Sequence, residues 1–237
     1  YTDAGGEGVC LFDFNDELLG RFLEDEGFNP DRFWGFGWHP NGEQVVISAG
    51  KGEFGDGNDN QPYILNLNTG QLTHIPLDGN LVDPAWSPNG EWIAAHLSGR
   101  LVLFQPDGGG FRTLYDGEAC LNNVQWSPDS SLLVTSFQTQ PLYCDDKLPK
   151  SLEIRILSIT GGRDDLIAAT RFEKNTCPDV AAAVAFNPNG EEIVYYDANC
   201  RPQSVSIENP ADSYPLNDFP WQWNNHSYPQ WATINYN

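Results

Sequence analysis

Two stretches of this chain gather rings and polar side chains in a way that suits ligand binding. Phe33, Trp34 and Phe36 form the first; Phe219, Trp221, Trp223, His226 and Tyr228 form the second. Aromatic plates mixed with Asn and Asp take the apolar faces of sugar rings or of a proline-rich peptide, while polar rims supply hydrogen bonds. The same rings, Trp34 and Trp221 above all, also suit packing between sheets. Asp83, three residues before Trp86, completes a ligand-binding set of Trp34, Asp83, Trp221, Trp223, His226 and Tyr228.

Other groups offer different chemistry. Glu53 and Asp56-Gly-Asn58-Asp59-Asn60 place oxygens at alternate positions of a Gly-rich loop, as a hard cation such as calcium requires; the expected ligands are Asp56, Asn58 and Asn60. The stretch lacks the distal Glu of an EF-hand, and a solvated polar loop has the same composition. A pair of carboxylates from Asp31, Asp83 and Asp179 could supply acid and base, or nucleophile, for glycoside cleavage. Their offsets of seven, three and seven residues from the nearest aromatic anchor argue against convergence. His39 and His74 stand alone, and Asn225-His-Ser227 fits an N-glycosylation acceptor, a pattern frequent by chance.

The elements that must position these residues repeat four times. Trp38-His-Pro-Asn-Gly-Glu, Trp86-Ser-Pro-Asn-Gly-Glu, Trp126-Ser-Pro-Asp-Ser-Ser and Phe186-Asn-Pro-Asn-Gly-Glu each precede a short apolar run, at spacings of 48, 40 and 60 residues. A repeat of this length built from short strands predicts a β-propeller. Each unit parses into four strands, A to D. Strand A ends at the aromatic anchor, and the Pro-bearing turn leads into strand B, as in Glu91–His96. Strand C is expected at Tyr63–Asn68, Arg100–Phe104, Leu152–Leu157 and Gln203–Ile207. Strand D follows at Leu72–Pro76, Phe111–Tyr115, Leu166–Thr170 and Tyr214–Leu216.

The ends depart from this frame. Val9–Phe14 and Leu18–Leu23 read as strands C and D, and Pro229–Ile234 reads as strand A. The expected fold is therefore all-β: a single five-bladed β-propeller domain over 1–237, whose last blade is closed by strands from both termini. The blades are 36–77, 83–115, 123–170 and 183–216, with 9–23 plus 229–237 shared. Joining the ends removes the open edges of a linear array.

These turns resemble the WD40-like repeats of the TolB-type propeller family, whose units carry Trp-Ser-Pro-Asp-Gly before a strand. The match is best at Trp86–Gly90 and Trp126–Asp129, and at repeat level it covers nearly the whole chain. The resemblance implies a propeller of a family that includes periplasmic binding proteins and propeller domains of serine peptidases. TolB itself is usually six-bladed with an additional domain. Neither feature is read here, so no TolB role is carried over.

Strand order places the B–C and D–A loops on one end of such a ring. That end is expected to hold the long loops Glu24–Gly35, Ala49–Pro62, Thr139–Lys150 and Asn217–Tyr228, and with them the function. Cys120 and Cys144 are expected in the D–A and B–C loops of the third blade, and Cys177 and Cys200 in the matching loops of the fourth, at separations of 24 and 23 residues. The expected disulfides are Cys120–Cys144 and Cys177–Cys200, one of three connectivities. Buried thiols, or zinc held by all four sulfurs without a Cys-x-x-Cys pair, are the alternatives. Two disulfides imply an oxidising, extracytoplasmic setting: periplasm, cell surface or outside. Cys10 is expected as a buried thiol within a strand.

With 12 Lys and Arg against 33 Asp and Glu, the net charge is −21, which disfavours nucleic acid. No apolar run nears the roughly 18 residues of a membrane helix. Methionine is absent even at position 1, which predicts a processed or excised product. There is no Gly-x-Ser-x-Gly elbow, His-Glu-x-x-His or phosphate loop. The expected function is thus a noncatalytic, extracytoplasmic binding propeller for a protein segment or glycan, with calcium the only cofactor entertained. The alternatives are a five-bladed glycoside hydrolase, or a propeller domain cut from a serine peptidase.

Overall fold

The structure, a computed structural model, describes residues 9–12, 17–23, 28–51, 60–116, 120–138, 151–171, 184–197, 199 and 201–216. The main chain alone is described at 29–32, 120–123, 138, 151–152 and 170–171. The described residues form strands and turns without a helix, so none is long and apolar enough to cross a membrane. The chain divides into two compact units, residues 1–98 with 102–112 and residues 99–101 with 113–237.

The first unit begins with β1 (Val9–Phe12) paired antiparallel to β2 (Leu18–Phe22). These are the expected strands C and D of the shared blade, whose expected remaining strand, at 229–237, lies outside the described residues. A four-stranded meander follows: β3 (Phe28–Trp38), β4 (Gln44–Lys51), β5 (Gln61–Asn66) and β6 (Leu72–His74). The next sheet orders β7 (Leu81–Trp86), β8 (Ile93–Leu97), β9 (Arg100–Phe104) and β10 (Arg112–Tyr115), and the unit boundary runs through its last two strands.

Period-two alternation sends β4 into two cores. Val45, Ile47 and Ala49 pack with Leu65, Val9 and Leu23, so β1 and β2 cover one face of the meander. Val46 points the other way, into a core with Ile64, Leu81, Trp86, Ile93, Ala95 and Phe104. Burial on both faces is why β4 and β8 read as continuous apolar runs.

The second unit holds two further meanders. One is β11 (Cys120–Trp126), β12 (Leu132–Gln138), β13 (Ser151–Ser158) and β14 (Asp164–Arg171). The other is β15 (Ala185–Phe186), β16 (Glu192–Tyr196), β17 (Pro202–Ser206) and β18 (Ser213–Pro215). Their shared core includes Val134, Ile154, Ile156, Phe186, Ile193 and Val205.

All four anchor turns form as the sequence predicts. The fourth turn residue donates its N–H to the carbonyl of the first: Gly42 to His39, Gly90 to Ser87, Ser130 to Ser127 and Gly190 to Asn187, each 2.9 Å. That fourth residue is left-handed throughout, with φ of 73°, 76°, 64° and 75°, which is why Gly fills it in three repeats. The first side chain then caps the turn. Ser87 Oγ accepts from Trp92 N–H and Ser127 Oγ from Leu132 N–H, both at 2.9 Å.

Several expected boundaries shift. The stretch Glu24–Gly35 is not one long loop, because β3 starts at Phe28 and reaches Trp38 through two bulges. Strand C of the first blade stops at Asn66 rather than Asn68. The Asn66 carboxamide oxygen captures the N–H groups of Asn68 and Thr69, each at 3.0 Å, and turns the chain early. Cys120 opens β11 rather than lying in a loop.

Candidate functional site at the inner strands

The first strands in chain order of the first three four-stranded sheets share one irregularity. Each carries a β-bulge three residues before its aromatic anchor, at Gly35, Asp83 and Asn123. On β7 the register jumps between Val82, opposite His96, and Ala85, opposite Ala94, so Asp83 and Pro84 together oppose Ala95. Asp83 therefore lies within β7. The first residue of such a bulge is ordinarily a left-handed Gly; here it is Asp83, with φ of 49°. A following proline adds steric pressure, since its Cδ crowds the preceding residue.

The surroundings hold this conformation from several directions. Strand β3 lies directly against β7: a Cβ on Gly35 would come 2.9 Å from Asp83 Cα, and one on Gly37 2.6 Å from the Pro84 carbonyl oxygen. Glycine is thus required at both positions for main chain to meet main chain. Buried Ser48, on β4 opposite the β3 bulge, donates its hydroxyl to the Leu81 carbonyl. Leu81 N–H donates to the Asn60 carbonyl at 2.9 Å, Asn60 N–H to Asn80 Oδ1 at 3.1 Å, and Gln61 Nε2 to the Gly79 carbonyl at 3.1 Å. A strained residue persists when its neighbours over-determine it in this way.

The electrostatics follow from burial. Desolvation pushes the Asp83 carboxyl up to about 6, and no hydrogen bond or charge among the described residues opposes that shift. His96, paired with Val82 one step along the ladder, is 2% exposed. Neither of its ring nitrogens finds a hydrogen-bond partner among the described residues, and burial pushes it down to about 4. Near neutral pH the junction therefore holds an ionised carboxylate and a neutral imidazole. A carboxyl titrating near 6 is suited to receive a cation, to accept hydrogen bonds, or to exchange a proton.

On β3, the aromatic residues either side of these glycines are partly exposed. Trp34 is 45% exposed, Phe36 41% and Trp38 52%, whereas the corresponding anchors Trp86 and Trp126 are buried. Phe36 stacks on Phe33 with ring centroids 6.3 Å apart. Of the expected ligand-binding set, Trp34 and Asp83 are thereby brought to one pair of strands; Trp221, Trp223, His226 and Tyr228 lie outside the described residues.

The other expected sites resolve unevenly. Asp56 and Asn58 lie outside the described residues, while Asn60 is buried and ties β5 to the entry of β7. No cluster of three or more metal-binding side chains occurs among the described residues. Cys144, Cys177 and Cys200 lie outside them, as does the side chain of Cys120; Cys10 is buried on β1. His39 belongs to its turn, its Nδ1 accepting from Asn41 N–H at 3.1 Å. Sequence reasoning missed Gly35, Gly37, Ser48 and His96. The signal available for the first two was Trp34-Gly-Phe-Gly-Trp38, since glycine inside a strand marks a bulge or close approach.

No protein-family model and no curated sequence matches the chain. Solved structures do. The Pan2 WD40 domain of Neurospora crassa aligns with TM-score 0.63 at 12% identity, over 89% of this chain and 59% of that one. TolB from Acinetobacter baumannii gives 0.59 at 16% identity, over 87% and 48%. An oligogalacturonate lyase from Vibrio parahaemolyticus gives 0.61 at 13% identity, over 87% and 58%. The chain thus spans less than two thirds of each of these three. At such identities the likeness concerns architecture alone: this chain has the all-β propeller fold found in WD40 and TolB structures.

Proposed function

We propose that the chain is a noncatalytic, extracytoplasmic binding propeller that holds a protein segment or a glycan. The observation that carries this reading is the row Trp34, Phe36 and Trp38, three large side chains partly exposed to solvent on β3. Exposed aromatic clusters beside a rigid scaffold are characteristic of binding surfaces. The likeness to a WD40 domain and to TolB supports the reading by analogy of fold alone. Arrays of glycans and of short peptides, probed with the wild-type chain and with Trp34→Ala/Phe36→Ala, test it. Retention on either array that the double variant loses supports the proposal; no retention, or equal retention, rejects it.

The extracytoplasmic part rests on the Cys120–Cys144 and Cys177–Cys200 pairing, and closure rests on pairing of 229–237 with the strands at 9–23. Peptide mapping without reduction checks the bridges: two cystine-linked peptides are expected, and four alkylatable thiols would reject them.

A second reading has one observation in its favour. A carboxyl pushed up to about 6 is poised for acid–base work, and one of the similar folds belongs to a lyase. In that case Asp83 would act on a glycan, and turnover of a glycoside or uronide panel would disappear in Asp83→Asn.

A further inference from the structure

The chain holds three Asn-Gly pairs, and all three fall at the third and fourth positions of anchor turns: Asn41-Gly42, Asn89-Gly90 and Asn189-Gly190. Each is preceded by Pro and followed by Glu, so the local sequence gives all three the same chemistry. Glycine has no side chain to hinder attack of its main-chain nitrogen on the preceding carboxamide, which makes such pairs thermolabile. The nitrogen, its proton lost to hydroxide, bonds to the Asn Cγ. The Cγ–Nδ2 bond then breaks, ammonia leaves with a proton from water, and a five-membered succinimide remains. Water opens that ring at either carbonyl, to aspartate or to isoaspartate.

The fold separates what the sequence makes alike. In all three turns the Glu N–H donates to Asn Oδ1 at between 2.9 and 3.1 Å, which keeps Cγ polarised. The carboxamide nitrogen is held unequally. Asn89 Nδ2 donates to Glu91 Oε2 at 3.1 Å and Asn189 Nδ2 to Glu191 Oε2 at 2.8 Å. Asn41 Nδ2 comes only to 3.5 Å from Glu43 Oε2, where little of a hydrogen bond remains. Asn89 Oδ1 also accepts from the Ser87 hydroxyl at 2.7 Å. Packing over the glycines follows the same order. A Cβ on Gly90 would come 2.6 Å from His39 Nε2, and one on Gly190 3.2 Å from Pro128 Cδ, in each case on the preceding anchor turn. One on Gly42 would meet no described residue within 4 Å, and Asn41 and Gly42 are both exposed. Ring closure and the entry of water therefore meet least resistance at Asn41.

We infer that Asn41 is a site of spontaneous deamidation, and that the fold holds Asn89 and Asn189 against the same reaction. An aspartate suits this turn position, since Asp129 fills it in the third repeat and accepts from Ser127 and Ser131. An isoaspartate lengthens the main chain by one carbon and breaks the turn. The test is timed incubation of the full chain in mildly alkaline buffer, with Asn, Asp and isoaspartyl peptides resolved by chromatography and mass spectrometry. Cleavage at Arg32, Lys51, Arg100 and Lys174 puts the three asparagines on separate peptides. Asn41 is expected to react about 5- to 10-fold faster than either of the others, as for one fewer hydrogen bond. In concentrated urea the three rates should converge to within about twofold, because the shared Pro-Asn-Gly-Glu then sets them. Glu91→Ala frees the Asn89 carboxamide and is expected to speed its loss about 3- to 5-fold, whereas Glu43→Ala should change Asn41 less than about twofold. Loss at Asn89 or Asn189 that equals or exceeds loss at Asn41 in the folded chain would overturn the inference. So would a preference for Asn41 that survives in urea, or a Glu91→Ala chain that loses Asn89 no faster than wild type.

Discussion

Two aspartates stand three residues from a tryptophan anchor, and they differ in nearly every physical respect. Asp129 follows Trp126 in an anchor turn. Its carboxylate accepts from the Ser127 hydroxyl at 2.6 Å and from Ser131 N–H at 3.0 Å, and these bonds, Ser127 first, hold its pKa below the usual value. Asp83 precedes Trp86 inside a strand, where burial alone pushes it up to about 6. One carboxylate is satisfied by its own turn and therefore structural. The other sits in a left-handed backbone inside a strand and is desolvated there without a compensating bond among the described residues.

The largest expected effect tests whether the strand junction is as tight as described. Gly37→Ala would drive a Cβ to within 2.6 Å of the Pro84 oxygen, which is main chain and cannot rotate away. A loss of about 3 kcal/mol or more in urea unfolding is expected. A loss below about 1 kcal/mol would mean that β3 and β7 are not in contact.

The next effect separates Asp83 from His96 by pH. A folded pKa raised to about 6 means that the native state holds its Asp83 proton longer than the unfolded chain. This contribution is full below about pH 4 and is lost as pH rises toward 6. His96 runs the other way: with its pKa lowered to about 4, its contribution is full above 6.5 and is lost as pH falls through 4. Between pH 4 and 6 the two slopes oppose each other. Relative to wild type, Asp83→Asn is expected to lose stability on acidification over this range, by up to about 3 kcal/mol. His96→Leu should gain on acidification instead, and at neutral pH should be equal to wild type or more stable, because two unpartnered buried nitrogens leave the core. Parallel pH profiles for both variants would show that neither group is desolvated.

Smaller effects sharpen the contrast with the turns. Ser127→Ala strips the acceptor from Leu132 N–H and a donor from Asp129, and should cost about 1 kcal/mol in chemical unfolding. Ser130 is the turn residue that keeps φ of 64° without being glycine, and Ser130→Gly is expected to gain about 0.5–1 kcal/mol or to be neutral.

What could be read from the sequence divides along the same line. The anchor turns are local: Pro88 sets one φ, Gly90 supplies the positive one, and Ser87 caps the next strand, all within six residues. The blade repeats were therefore legible, and Arg100–Phe104 matches β9 residue for residue. Asn29-Pro30 and Gly35 made the start of β3 look like loop, because bulges that absorb such residues inside a strand leave no periodic trace. The state of Asp83 was illegible for a stronger reason. Its burial and backbone are imposed by Gly35, 48 residues earlier, and by Ser48 and Asn60, none of which share a local pattern with it. His96 read as one more residue of an apolar strand, since nothing local announces that its nitrogens lack partners.

The most direct test of this account is a titration of the Asp83 side-chain carboxyl by carbon-detected NMR in the free protein. A midpoint near 6 is expected, with no second inflection from a neighbouring charge. A midpoint near the ordinary 3.8 would show a solvated or internally paired carboxylate, and the account of a desolvated junction between β3 and β7 would fail with it.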